Sequence, residues 1–299
     1  MYNGNPLPKT LKGVLLLGFL FLYVPIVSLI IYSFNASKLV TVWGGFSTRW
    51  YVSLMQNEQI ISAVTLSIKI ALASATAAVV LGTIAGFVLA RFGRFRGSTL
   101  FAGMMTAPMV MPEVITGLSM LLLFISMQQF FGQPSERGFF TIWAGHTTLC
   151  MAYVAVVVRS RLIEIDRSLE EAAMDLGARP MKIFFLITLP LVSQAIASGF
   201  LLSITLSLDD LVTTSFLSGP GATTLPMVIF SKVRLGLNPE INALAAITVL
   251  LVGIFVLVAN YLMLSAQRNR MRAMAAAMRE NDAPAKPGGD AGGAVAAAP

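Results

Sequence analysis

Charge is scarce in this chain: only 12% of its 299 residues are Asp, Glu, Lys or Arg, while 56% are hydrophobic. A soluble domain carries roughly 25% charged residues, so most of the surface of this protein cannot face water. The mean hydropathy of +0.78 points the same way. The composition therefore predicts an integral membrane protein.

Reactive side chains are equally few. Cys150 is the single cysteine, so an internal disulfide and a thiolate metal cluster are both excluded, and we expect it to act as a small core hydrophobe. His146 is the single histidine and has apolar neighbours, where a histidine usually serves helix packing with its hydrogen bonds satisfied. No GxxxxGK[ST] phosphate loop occurs. We predict no catalytic residue, no metal and no cofactor bound by this chain.

Long apolar runs dominate what is present. A helix needs about 20 apolar residues to cross about 30 Å of hydrocarbon, which leaves room for six spans in one membrane domain. The six runs are 13–32, 63–90, 101–127, 139–158, 191–216 and 241–263. Gly82 and Gly86, at GxxxG spacing, predict that the second span packs closely on protein. We expect an all-α polytopic protein with an N-terminal segment at 1–12, a transmembrane domain at 13–265 and a largely disordered tail at 266–299 that begins as a short helix.

Basic residues indicate the orientation, because Lys and Arg near span ends resist translocation. Of the 21 basic residues, 15 fall in segments that are cytoplasmic if the N-terminus is inside, five fall in the opposite segments, and Lys69 lies within the second span. We therefore expect both termini and the loop between the fourth and fifth spans in the cytoplasm. Short basic clusters between apolar runs are typical of loops beside anionic lipid, and they do not indicate a nucleic-acid partner.

The loop at 159–190 has eight charged residues before Ala178, more than a simple connector needs. Its helix formers at 169–176 predict a short helix, Gly177 predicts a C-terminal turn, and Pro180 predicts the first turn of a second short helix after a sharp bend. The core of the loop reads Glu171, Ala172 and Ala173, then three residues and Gly177, then nine residues and Ile187, Thr188, Leu189 and Pro190.

This pattern matches in full the EAA signature of ATP-binding-cassette importer permeases, so the chain resembles that family. The resemblance implies the type I importer permease fold, with a coupling helix in the segment 164–190, between the fourth and fifth spans. It also implies that the bend docks in a groove of a separate cytoplasmic ATPase, which binds ATP and Mg²⁺, and that Glu171 pairs with the ATPase surface. The residues that it assigns to coupling are Glu171, Ala172, Ala173, Gly177, Ile187, Leu189 and Pro190.

Ionisable residues inside spans are rare and by default mark a substrate pathway. Glu113 lies in the third run, Asp209 and Asp210 late in the fifth, and Lys69 early in the second. Continuous helices would place Glu113 about 20 Å from Leu100 and the Asp pair roughly 27 Å from the start of the fifth run. Three acids against one base favour a cationic cargo, and Lys69 is a candidate ion-pair partner for one Asp. Adjacent helical residues point about 100° apart, so at most one of the two Asp residues is expected to contact cargo.

Four segments sharpen the resemblance: 33–51, 90–97, 207–226 and 238–245 are similar to the second permease subunit of bacterial putrescine and spermidine importers, and the similarity extends to about Met271. It implies a bacterial inner-membrane protein with a sister permease subunit, two ATPase copies and a periplasmic polyamine-binding protein. Aromatic side chains could help to hold ammonium groups; the candidates are Trp143, Tyr153, Phe200 and Phe216.

Two alternatives stay open. One is the same permease role for an amino acid or a metal chelate. The other is a proton-coupled secondary transporter that uses the acids and His146 as a relay, although such a protein would need no ATPase-docking loop.

Overall fold

The computed structural model describes residues 8–39, 42–93, 95–235 and 239–281, and these ranges are almost entirely helical. Outside the helices, a single bridge pairs Asn35 with Phe46 in the described ranges. The α-helices described are α1 (Lys9–Ser33), α2 (Arg49–Gln56), α3 (Glu58–Arg91), α4 (Ser98–Val110), α5 (Glu113–Phe131), α6 (Phe139–Glu164), α7 (Ser168–Asp175), α8 (Pro180–Ile183), α9 (Leu189–Asp209), α10 (Val212–Leu217), α11 (Leu225–Leu235) and α12 (Pro239–Asn281).

Six helical segments of the described chain are long and apolar enough to cross a membrane, which confirms the predicted number of spans. They are Thr10–Ser33, Glu58–Arg91, Glu113–Phe131, Phe139–Glu164, Pro180–Asp209 and Pro239–Val258. The first, second, fourth and sixth overlap the predicted runs over most of their length.

The third span is not the continuous helix 101–127 that the sequence predicts. Helix α4 ends at Val110, Met111 is extended (φ −74°, ψ 140°), and α5 begins at Glu113. The cause is Pro112, because proline has no N–H to donate and disfavours helical backbone in the residue before it. The distance estimated for Glu113 from a continuous helical rise therefore does not apply.

The fifth span also breaks where the sequence predicts an uninterrupted run to 216. Helix α9 ends at Asp209, Asp210 is extended (φ −68°, ψ 112°), and the short helix α10 begins at Val212. The carboxylate of Asp210 accepts the backbone N–H groups of Thr213 and Thr214, at 2.8 and 3.3 Å. It therefore caps the new helix, which is the role that Asp plays at helix N-termini.

Helices α3, α6 and α9 pack together in the core. A Cβ added at Gly82 would lie 2.7 Å from the Cβ of Val154, and one at Gly86 would lie 2.8 Å from the carbonyl oxygen of Ala155. Only glycine permits this approach of α3 to α6, which confirms the close packing predicted from the GxxxG spacing. Cys150 is buried in the same cluster as Val154, in agreement with its predicted role as a core side chain.

Residues up to Ile247 form one compact unit, and those from Thr248 form a second. In the second unit α12 continues as one helix to Asn281. Residues 282–299, which make up most of the predicted disordered tail, lie outside the described residues, as do residues 1–7 and Arg94, one of the basic residues counted for the orientation.

Candidate translocation site and coupling loop

The loop that carries the EAA signature forms the helix and the bend expected from its residues. Helix α7 ends in a left-handed Gly177 (φ 80°). The N–H of Gly177 bonds the carbonyl of Met174 at 2.8 Å, and the N–H of Ala178 bonds that of Ala173 at 3.0 Å. This pair of hydrogen bonds is the Schellman motif, which favours glycine because of the positive φ.

The start of α7 is held by a side chain just before it. The backbone N–H of Ser168 donates to Oδ1 of Asp166 at 3.0 Å. Hydrogen bonding to Ser168 lowers the pKa of this carboxyl below its ordinary value. The negative charge of this carboxylate lies next to the positive end of the α7 dipole, which favours it.

The helix after the bend is longer than predicted. Pro180 occupies its first turn, as expected, but α8 passes through a π-helical segment, Phe184–Thr188, directly into α9. The predicted second short helix is therefore the start of the fifth span. Ile187, Leu189 and Pro190 lie in this continuous helix, the first two half-buried and Pro190 exposed, so the structure separates them from the tip of the bend.

The tip of the bend presents both acidic and apolar side chains. Glu171 and Ala172 are exposed and Ala173 is half-buried. Leu176 is 90% exposed, and Met174 and Met181 are also exposed. Exposed apolar side chains bordered by polar residues are typical of protein interaction sites.

Each of the two span breaks carries an acid, and helix packing brings the breaks to one level. Glu113 opens α5, and Asp210 precedes α10. One turn above Glu113, a Cβ at Gly117 would lie 2.8 Å from the ring of Phe216 and 3.3 Å from the Cα of Thr213. Gly117 follows Glu113 by four residues, and Thr213 follows Asp209 by four residues. Because Gly117 and Thr213 are in contact, Glu113 and the Asp pair lie at comparable depth.

Asp210 is enclosed in a polar network that the sequence did not reveal. Its Oδ2 lies 3.3 Å from Nε2 of His146, and both side chains are at most 4% exposed. The same Nε2 is 2.9 Å from the hydroxyl of Thr214, and Nδ1 is 2.7 Å from the hydroxyl of Ser207. His146 is thus a helix-packing residue with satisfied hydrogen bonds, as predicted, but its partners are the residues of the fifth-span break.

The other three ionisable residues that the sequence singled out within the apolar runs are not enclosed. Glu113, Asp209 and Lys69 are all exposed on this chain. Within the described residues, Lys69 forms no ion pair with any acid. The structure thus distinguishes the two adjacent acids, with Asp210 bound internally and Asp209 free. Among these same residues, no group of three or more His, Cys, Asp or Glu side chains could hold a metal.

The chemistry of the breaks suits a cation. Non-helical backbone at membrane depth is tolerated only where it is buried in protein or lines a water-filled cavity. The C-terminal ends of α4 and α9 present carbonyl oxygens without helical partners, and these carry partial negative charge. Glu113 follows the end of α4 by three residues and Asp209 is the last residue of α9, so each of these helix ends also has a carboxylate beside it.

Comparison with known proteins establishes the family. The family described as the binding-protein-dependent transport system inner membrane component matches residues 78–272. The chain belongs to this family. It is therefore an integral component of an inner-membrane transport system, and its all-α fold is the one predicted.

Two relatives in Escherichia coli (strain K12) are similar over most of the chain. The putrescine transport system permease protein PotI is 62% identical over 266 residues, covering 89% of this chain and 95% of that protein. The spermidine/putrescine transport system permease protein PotC is 41% identical over 231 residues, covering 77% of this chain and 85% of that protein.

Solved structures agree on the fold. A bacterial ABC transporter involved in the import of the acidic polysaccharide alginate gives a TM-score of 0.67 at 17% identity, covering 87% of this chain and 98% of the matched chain. The MetNI methionine ABC transporter gives 0.54 at 18% identity, covering 74% and 99%. Because one fold serves such different cargoes, the fold of this chain does not identify what it transports.

Proposed function

We propose that this chain is the permease subunit of an ATP-driven importer for a polyamine, putrescine or spermidine. The observation that carries the proposal is the 62% identity to a putrescine transport permease over 89% of the chain. The exposed carboxylates Glu113 and Asp209, beside two helix breaks at one depth, support it. An ammonium group that loses water needs acceptors nearby, and these residues supply them.

The translocation path is shared with a sister permease subunit. Helix α1 supports this, because the most apolar part of this helix is not buried against any other part of the chain that the structure describes. So long an apolar surface must be covered by lipid or by another helix. A periplasmic polyamine-binding protein delivers the cargo, both termini are cytoplasmic, and Glu113, Asp209 and Asp210 lie along the path.

The bend after α7 docks on a cytoplasmic ATPase present in two copies, one for each permease subunit, which binds ATP and Mg²⁺. The exposure of Glu171, Ala172 and Leu176 beside the rigid turn at Gly177 supports this contact. Glu171 pairs with the ATPase surface. Ile187, Leu189 and Pro190 carry the motion into the fifth span, because they lie in the helix that continues into it.

Transport by the reconstituted importer tests the cargo. The chain is assembled in vesicles with a sister permease, an ATPase and a periplasmic binding protein from the same organism. Uptake of radiolabelled putrescine, spermidine, histidine and an iron(III) chelate is then compared. We expect ATP-dependent uptake of a polyamine only. Uptake of histidine or of the chelate in preference to both polyamines would refute the cargo, and ATP-independent uptake driven by a proton gradient would refute the importer.

A substitution at the bend tests the docking. Gly177→Asp adds bulk and charge at the tip, so it should abolish ATPase binding and coupled uptake while the membrane domain stays folded. Gly132→Asp is the matched control, because Gly132 also has a positive φ (69°) and open space around it but ends α5, away from the loop. Coupled uptake by Gly177→Asp at the rate of Gly132→Asp would contradict the docking.

A further inference from the structure

A half-buried ion pair joins the coupling helix to the end of the second span. Arg91 lies in the last turn of α3, and Glu170 lies in the first turn of α7. The Nε and Nη2 atoms of Arg91 are each 3.1 Å from Oε1 of Glu170, and the two side chains are 8% and 16% exposed. The hydroxyl of Thr188, in the π-helical segment before α9, donates to the same oxygen at 2.9 Å.

A second contact reinforces the first. Nη2 of Arg167, the residue just before α7, donates to the carbonyl oxygen of Ala90 at 2.9 Å. This carbonyl belongs to the C-terminal turn of α3, where helical partners are lacking and the dipole favours a cation. Two side chains from the start of α7 therefore bind two adjacent residues of α3.

The burial of this pair distinguishes it from the other ion pair of the region. Nη1 of Arg161 lies 2.8 Å from Oε2 of Glu164, but the two side chains are 47% and 62% exposed. Exposed pairs contribute little, whereas removing one partner of a buried pair leaves the other charge desolvated and unpaired. Glu171, next to Glu170 on α7, is exposed and free to contact a partner protein.

We propose that Arg91, Glu170 and Thr188 form a clamp that fixes α7 to the end of α3 and the start of α9. Because α3, α6 and α9 pack as one core, a displacement of α7 then moves these spans with it. The three residues are positioning residues, since they act through α7 and contact neither nucleotide nor cargo. This inference rests on the proposed docking of α7 on the ATPase.

Variants of the complete reconstituted importer test the clamp. In Glu170→Gln, amide hydrogen exchange of residues 168–178 should accelerate by about tenfold or more, as expected when a hydrogen bond between charged groups is lost. Cargo transported per ATP hydrolysed should fall several-fold. Arg91→Gln should do the same, and Arg91→Lys should largely restore coupling, because both arginine nitrogens contact a single oxygen that one ammonium can also reach.

The control variant is Arg161→Gln, which removes the exposed ion pair and should change neither measurement. If Glu170→Gln fails to assemble, Thr188→Val removes one hydrogen bond of the clamp and should give a smaller change in the same direction. Unchanged exchange in the variants that assemble would overturn the clamp, and faster exchange with unchanged transport per ATP would overturn its positioning role. Loss of docking itself is distinguished by Gly177→Asp, whose ATPase binding is measured separately.

Discussion

Neutralising Asp209 and Asp210 one at a time separates contact with cargo from capping of a helix. Oδ1 of Asp210 accepts two backbone N–H groups, and Oδ2 lies 3.3 Å from His146. Asn caps a helix about as well as Asp, whereas Ala costs about 0.5–2 kcal/mol of stability. Asp210→Asn should therefore keep α10 in place, and Asp210→Ala should lower the melting temperature of the purified protein.

Asp209→Asn should affect cargo binding and not stability. This side chain is exposed and has no hydrogen bond or ion pair within the described residues, so its neutralisation should leave the melting temperature unchanged. If Asp209 accepts a hydrogen bond from a cargo ammonium, its loss should cost about 1.5–3 kcal/mol, or roughly 10- to 150-fold in apparent affinity. Glu113→Gln should behave in the same way.

The assay measures KM and maximal rate of putrescine and spermidine uptake in vesicles, with the melting temperature of each variant. A parental KM in Asp209→Asn together with a raised KM in Asp210→Asn would show that the buried acid, not the exposed one, meets the cargo. Parental uptake by Asp209→Asn, Asp210→Asn and Glu113→Gln alike would make all three carboxylates structural. The charge-based case for a cationic cargo would then fail.

Two further predictions concern packing and orientation. Gly82→Leu should destabilise the membrane domain by about 1–3 kcal/mol or more, because its side chain would enter the space of Val154. Gly18→Leu in α1 should be tolerated, since nothing lies within 4 Å of Gly18. Equal melting temperatures of the two variants would contradict this packing. Reporter fusions after Asn57 and Gln133 should read as periplasmic and a fusion after Asp175 as cytoplasmic, and any reversed signal would contradict the orientation.

The structure of the loop with the EAA signature was predictable because its signals are local. A helix of eight residues, a turn with positive φ and a proline at the next helix start each depend on residues close together in the chain. What the local pattern did not reveal is that the second helix continues into the fifth span. No turn residue marks an end of the helix that begins at Pro180, so only the packed structure shows that α8, the π-helical segment and α9 form one continuous helix.

The breaks in the spans show the limit of hydropathy. The runs containing Pro112 and Asp210 are apolar over most of their length, so a window of apolar residues predicts continuous helices. Proline at Pro112 carried a visible signal, because it disfavours helical backbone before it. The cap formed by Asp210 did not, because an Asp within an apolar run is equally compatible with a position along a cargo path.

The sequence by itself determined that this chain is an integral membrane protein, that it has six spans and that it carries a helix and a bend suited to docking. These follow from residue composition and from periodicities and turn residues that act over a few positions. Only the tertiary structure decided which acids are free. It paired His146 with Asp210, 64 positions away, and Arg91 with Glu170, 79 positions away, and left Asp209 and Glu171 exposed. Neighbours in the sequence thus received opposite environments, because burial is set by which helices pack together and not by the residues on either side.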